Sequence, residues 1–308
     1  MLTSRPEGCA ATRLDLIQDG SLVPIRWIAC PGRAQAGGAK VRVSKRRGHA
    51  TLTTNRFPLK YLPDGRAMLN LGCGTVMDWG WNNLDFSYYA LLAPRRSLTR
   101  LLSGIGVLSR HRYEMVSRVD PDIISWDLRK GIPFRDGSFD VLYHSHTLEH
   151  LDHDLAAGFL KECHRVLKPN GILRVVVPDL QRLICEYWES LAEINSGAIG
   201  AAAKHEIAVS NLFEQMVRRE PAGIRKHPPI LRSVERLVRG DALRVGEAHR
   251  WMYDRYSLAM LLEAAGFNDV RVESALTSRV VGWPTFELDG AASGAIYKPE
   301  SLYIEALR

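Results

Sequence analysis

From Ala67 onward the chain alternates short apolar runs with stretches of helical spacing, and before that point it shows little periodicity. Met68-Leu69-Asn70-Leu71 is a short apolar run that stops at Gly72-Cys73-Gly74, the pattern of a buried strand entering a tight loop. Asn83-Leu84-Asp85-Phe86 predicts a second strand and Ile123 to Asp127 a third. Phe139 to Tyr143 predicts a fourth, announced by the turn residues Arg135-Asp136-Gly137-Ser138. Leu155, Phe159, Cys163, Val166 and Leu167 then recur at helical spacing, and Lys168-Pro169-Asn170-Gly171 stops that helix. Ile172 to Val177 predicts a fifth strand, closed by Pro178-Asp179. A helix around Tyr256 to Ala265, ended by Gly266, precedes strands over Asn268–Glu273 and Ser301–Leu307. Strands alternating with helices in this way predict an α/β sheet.

The same pattern divides the chain. Residues 1–60, rich in Gly, Arg, Pro and Ala, read as a poorly structured N-terminal extension, and residues 61–308 as the folded domain. Residues 180–250 are mainly helical, with a Pro228-Pro229 break, and too long for a simple crossover. They predict a helical insertion after the fifth strand that covers the site.

Composition narrows the class. With 46% hydrophobic and 24% charged residues, the 308-residue chain has apolar mass for a real core. No run approaches the roughly 18 apolar residues of a membrane span. Five scattered cysteines without a CxxC pair suit reduced thiols, so the expected location is the cytoplasm. A net charge of +7 attracts anionic partners but names none.

The first chemical signal is Gly72-Cys73-Gly74 after a buried strand, where bare backbone lets a ligand approach closely. Asp85 closes the second strand and suits the hydroxyls of a ribose. It follows Gly74 by eleven residues, where dinucleotide dehydrogenases place that acid about 20 residues after the glycines. No crossover helix fits between Thr75 and Asn82, and Val76 stands where a third glycine is expected, so a nicotinamide cofactor is disfavoured. Asp127 closes the third strand, beside Leu128 and Ile132-Pro133-Phe134. It suits an adenine amine flanked by apolar side chains, and equally a helix or turn cap.

The runs LNLGCG, NNLDFS, DLRKGIPFRDGSFDVLYHSHTLEHL and FLKECHRVLKPNGILRVVVPDL resemble class I methyltransferases of the methyltransferase type 11 group. HRWMYDRYSLAMLLEAAGF and KPESLYIEALR are similar to a bacterial subgroup associated with surface-polysaccharide biosynthesis. The resemblance spans roughly residues 67 to 308. It implies a Rossmann-like seven-stranded sheet with the last strand, Ser301–Leu307, antiparallel, and S-adenosylmethionine as cofactor. The cofactor residues it implies are Leu71, Gly72, Cys73, Gly74, Asp85, Phe86, Asp127, Leu128 and His144.

On the acceptor side, His146 is the candidate general base, oriented by Glu149 or His150. His249, Trp251 and Tyr253 mix aromatic and polar groups suited to a small-molecule or saccharide acceptor, or to a packed aromatic knot. His146-Thr147-Leu148-Glu149-His150 also matches the H-x-x-E-H of inverted zinc peptidases, but no third ligand is evident, so no metal is expected. No Asn-Pro-Pro-Tyr-type motif follows the fourth strand, which disfavours nucleic-acid bases as acceptors. In residues 88–119, Leu98, Leu101, Leu102, Ile105 and Leu108 share a helical face amid arginines. That face either closes inward over the site or lies on anionic lipid at the inner membrane surface. The expected activity is methyl transfer to oxygen or nitrogen of a saccharide or lipid-linked saccharide; the alternative is a non-catalytic binding module of the same fold. Oligomeric state is unmarked.

Overall fold

The computed structural model of the chain describes residues 54–216 and 249–308. The predicted extension through residue 53 and the part of the predicted insertion at 217–248 lie outside them. Seven strands form one sheet: β1 (Met68–Leu71), β2 (Asn82–Asp85), β3 (Ile124–Ser125), β4 (Phe139–Ser145), β5 (Leu167–Pro178), β6 (Asn268–Glu273) and β7 (Ser301–Leu307). Their order is β3-β2-β1-β4-β5-β7-β6. The first five are parallel, and β7 enters antiparallel between β5 and β6, from Ile172 opposite Leu307 to Pro178 opposite Ser301. This is the expected Rossmann-like sheet.

Parallel central strands are covered on both faces and therefore read as continuous apolar runs, as β1 does. Alternate residues serve separate cores. Leu69, Leu71, Leu142, Leu173, Val175, Leu302 and Ile304 face a core completed by α4 (His153–Val166) and the late helix (Arg255–Ala264). Met68, Val141, Tyr143, Val176 and Tyr303 face a second, completed by Trp81, Trp283 and Leu288. Phe57 and Leu59 pack against the first of these, so chain before Ala67 already belongs to the domain's packing. Arg174 of β5 is fully buried in the second face, 2.8 Å from Asp289 and from Glu305, with its guanidinium 4.5 Å from the Trp283 ring centroid. Pairing on both sides is what makes a buried guanidinium tolerable.

The connection from β1 to β2 contains no helix, in keeping with the eleven-residue interval. The third strand is shorter than expected: only Ile124 and Ser125 pair, because Trp126 and Asp127 turn out of the sheet into a 3-10 turn at Leu128–Lys130. The segment after β2 is divided into α1 (Tyr88–Leu92), α2 (Arg96–Gly104) and α3 (Arg110–Arg118). After β5, Asp179 caps α5 (Leu180–Asn195), accepting from the backbone N–H of Gln181 at 3.0 Å and of Arg182 at 3.3 Å, and α6 (Ala201–Met216) packs beside it. The late helix, α7 (Arg255–Ala264), starts in a capping box between Asp254 and Ser257.

Candidate active site

The carboxyl ends of β1, β2 and β4 converge on the glycine loop, the edge at which α/β sheets take ligands. Gly72 and Gly74 both have positive φ, +64° and +53°. The backbone N–H groups of Gly72 and Cys73 donate to Leu84 O, so the loop folds back across β2. A Cβ on Gly72 would stand 2.4 Å from Thr147 Oγ1, whereas nothing lies within 4 Å of one on Gly74. The loop is thus wedged on one side by the turn after β4 and bare on the other. Cys73 is buried, and that burial pushes its thiol well up from its ordinary value, so it takes no part as a thiolate.

Asp85 lies against this bare loop, its Oδ2 accepting from Gly74 N–H at 2.8 Å. Phe86, next in sequence, is exposed. Asp127 is placed differently. It caps the 3-10 turn by accepting from Arg129 N–H, and its two oxygens take Arg129 Nε and Nη2, each at 2.9 Å. Although burial acts against it, the guanidinium holds the Asp127 carboxyl below its ordinary value. Leu128 is half-buried beside it, while Ile132 and Phe134, expected to flank an adenine, are buried in the core. Only Phe86 and Leu128 remain as apolar flanks.

The structure corrects His144. Its side chain is fully buried, 5.3 Å centroid to centroid from Phe159 of α4, and burial depresses its pKa to about 3. The ring is a core group and presents nothing to a cofactor. Tyr253 is corrected likewise: at 1% exposure it belongs to the first core and bridges Asp179, which makes the aromatic-knot reading the right one for this residue. Trp251 stays accessible, stacked on His153 with ring centroids 4.1 Å apart.

His146 and Glu149 lie side by side. His146 has φ +51°, an uncommon conformation that turns its ring out of β4, while its N–H donates to Val176 O. Its Nδ1 lies 3.2 Å from Glu149 Oε1, and its Nε2 lies 2.9 Å from Ser301 Oγ. A carboxylate accepts, so Nδ1 carries the hydrogen when the ring is neutral, and Nε2 carries the lone pair. Glu149 is fully buried, and its backbone carbonyl accepts from Arg250 N–H at 2.7 Å. His150 is turned toward His249 instead, the ring centroids 4.8 Å apart.

Two site groups escape sequence reasoning. Ser301 opens β7, and Lys298 donates from Nζ to Ser145 Oγ at 3.1 Å. Burial lowers the Lys298 pKa, against the raising charges of Glu149 and Asp289. Both sit in KPESLYIEALR, and the sheet order, with β7 beside β5, brings that segment near β4.

Residues 105–175 match the family model described as a methyltransferase domain. That stretch is similar to a methyltransferase domain. The match supports an enzyme. The match takes in Asp127, His146, Glu149 and His150, while the glycine loop and Asp85 lie before it. No curated protein matches the chain. Among solved structures it is similar to an S-adenosylmethionine-dependent methyltransferase from Archaeoglobus fulgidus, at 15% identity over 79% of this chain and 86% of that one, TM-score 0.33. It is similar to 1,6-didemethyltoxoflavin-N1-methyltransferase from Burkholderia thailandensis, at 14% identity over 79% and 71%, TM-score 0.36. It is also similar to a Bordetella parapertussis protein described as a possible exported protein, at 14% identity over 81% of this chain, TM-score 0.36; it spans 63% of that protein. The loop's bare face at Gly74, with Asp85 beside it, lets a ligand approach the backbone closely.

Proposed function

We propose that the chain transfers the methyl group of S-adenosylmethionine to an oxygen or nitrogen nucleophile of a saccharide or lipid-linked saccharide. The observation that carries an oxygen or nitrogen nucleophile is the His146–Glu149 contact, one short turn from the glycine loop. The saccharide class rests on the resemblance of the late segments to the surface-polysaccharide subgroup.

In this reading Leu71 and Gly72-Cys73-Gly74 take the methionine end of the donor through backbone groups, and Asp85 accepts from the ribose hydroxyls. Asp127, with Phe86 and Leu128 as flanks, takes the adenine. When bound, the donor supplies a methyl group already activated on a sulfonium. The chain's own work is to aim a nucleophile and remove its proton. Glu149 holds Nδ1–H of His146, which keeps the lone pair on Nε2. Ser301 occupies that nitrogen now and marks the position an acceptor hydroxyl would take. Trp251 offers an exposed aromatic face for a sugar ring.

Calorimetry with S-adenosylmethionine and S-adenosylhomocysteine tests the donor half. Micromolar-range binding that Asp85→Ala weakens by tenfold or more supports it, since hydrogen bonds to a charged group contribute about 1.5–3 kcal/mol. Binding indifferent to that substitution sinks it. Mass spectrometry of surface glycans and lipids from a deletion strain tests the acceptor: one species should be lighter by a single CH₂.

A second reading, peripheral membrane contact through residues 88–119, draws on one observation. Leu98, Leu101, Ile105 and Val107 are exposed, Leu101 at 60% and Ile105 at 63%, so the apolar face does not close inward. Arg100, Arg110 and Arg112 supply charge for anionic lipid. This surface would also serve the non-catalytic alternative.

A further inference from the structure

A cluster of metal-ligating groups lies where the turn after β4 meets the chain entering α7. Glu149, His150 and His249 each offer one ligand atom, and these atoms lie within 4.8 Å of one another. His249 lies 99 positions after His150 in the chain, which is why the H-x-x-E-H run alone suggests no third ligand. The backbone fixes the arrangement: Arg250 N–H and Trp251 N–H both donate to Glu149 O, at 2.7 and 3.3 Å, and so hold His249 against the Glu149 turn.

The histidine at 249 is also oriented from behind. Its Nδ1 lies 2.6 Å from the backbone carbonyl oxygen of Gln215, the last turn of α6. A carbonyl only accepts, so Nδ1 carries the hydrogen and the neutral ring keeps its lone pair on Nε2. Metal-ligating histidines are characteristically held this way, with the far nitrogen donating to a carbonyl or carboxylate. Glu149 Oε1 contacts His146, and a carboxylate oxygen that accepts a hydrogen bond can also ligate a cation. Tetrahedral ligands on zinc bonds of about 2.0–2.2 Å stand roughly 3.4 Å apart, so atoms lying within 4.8 Å of one another must draw together by about 1 Å to share one ion. Two imidazoles and one carboxylate suit zinc and its transition-metal neighbours, not the all-oxygen shells of magnesium or calcium.

We propose that Glu149, His150 and His249 bind a divalent transition-metal ion of the zinc class. Three protein ligands leave a coordination position, and in that position a hydroxyl of the acceptor loses its proton more readily. This second clause rests on the methyl-transfer reading. The acceptor oxygen forms the new C–O bond with the methyl carbon, the C–S bonding pair goes to sulfur, and the hydroxyl proton passes to His146. The cluster is near enough to take part: Thr147, two residues before Glu149, abuts Gly72 of the donor loop.

The test uses the full chain, stripped with EDTA, dialysed, and titrated with zinc chloride in the absence of donor and acceptor. Metal content is measured after gel filtration. About one equivalent is expected, weakened at least about tenfold by His249→Ala and by His150→Ala but not by Trp251→Ala. Titration of the unaltered chain with Co²⁺ gives a second readout, a visible absorption of histidine-ligated metal that zinc displaces. Substoichiometric zinc with no such absorption, or binding that survives both histidine substitutions, overturns the proposal. S-adenosylmethionine affinity, measured separately in EDTA, keeps the two readings apart: no donor binding there, alongside stoichiometric zinc in the metal titration, defeats methyl transfer and leaves the metal site standing.

Discussion

Replacing Gly72 by alanine puts a methyl group into the joint between the donor loop and the turn that carries His146. Two costs add. Gly72 has φ +64°, and an L-residue in the left-handed region costs about 1–2 kcal/mol. The new Cβ would meet Thr147 Oγ1 at 2.4 Å and Cγ2 at 3.0 Å, and overpacking of this kind costs about 1–3 kcal/mol. Gly72→Ala should therefore destabilise the protein by about 2–5 kcal/mol, read from equilibrium urea unfolding. Thr147→Ala removes both clashing atoms and leaves Thr147 Cβ at 3.3 Å. In that background Gly72→Ala should cost only the backbone contribution, about 1–2 kcal/mol. Donor affinity by calorimetry should fall with Gly72→Ala, because the loop must shift to admit the methyl group. An equal loss of stability in both backgrounds would refute the wedge, and a loss below about 0.5 kcal/mol would refute the strain as well.

Other expectations follow from the same edge of the sheet. If Asp127 reads adenine, Arg129→Ala should free its carboxylate and tighten S-adenosylmethionine binding a few-fold, whereas Asp127→Ala should weaken it; weaker binding in both would assign recognition to the ion pair as a unit. His144, whose folded pKa of about 3 lies below its ordinary 6.5, adds no linkage above pH 6.5; as pH falls from there toward 3 the unfolded chain takes up a proton that the native ring refuses, and stability drops. His144→Leu should remove about 2 kcal/mol of that loss at pH 5, seen as a flatter urea midpoint against pH than in the unaltered chain, and an unchanged slope would contradict the buried neutral ring. Leu101→Glu and Ile105→Glu should abolish salt-sensitive binding to vesicles containing anionic lipid while leaving the folding midpoint in place, since both side chains are exposed; no vesicle binding by the unaltered protein at low salt removes the membrane reading.

Elements are legible in the sequence where one physical cause decides them. Strands buried on both faces must be apolar, so β1, β4, β5 and β7 were visible as runs, and the short glycine-to-Asp85 interval excluded a crossover helix. Features set by tertiary placement are not legible in this way. Trp126 and Asp127 look like strand, yet a donor three-atom fork on Arg129 and the pull of the 3-10 turn take them out of the sheet. The apolar spacing of residues 88–119 suggests one stripe, but three helices divide it, and much of it faces outward. His144 and Tyr253 have the chemistry of site residues, and nothing in their neighbours' identity announces that both are packed into the core. The meeting of His249 with Glu149, and of Ser301 with His146, depends on chain returning from far along the sequence. Local patterns carry no trace of such encounters.

The backbone at position 146 narrows what evolution or an engineer can install there. A left-handed conformation admits histidine, asparagine, aspartate and glycine far more readily than lysine, glutamate or a branched side chain. An alanine at that position would change the main-chain energy together with the ring, so its lost activity could not be credited to the imidazole alone. Asparagine keeps the conformation and discards the basic nitrogen, which makes His146→Asn the cleaner probe.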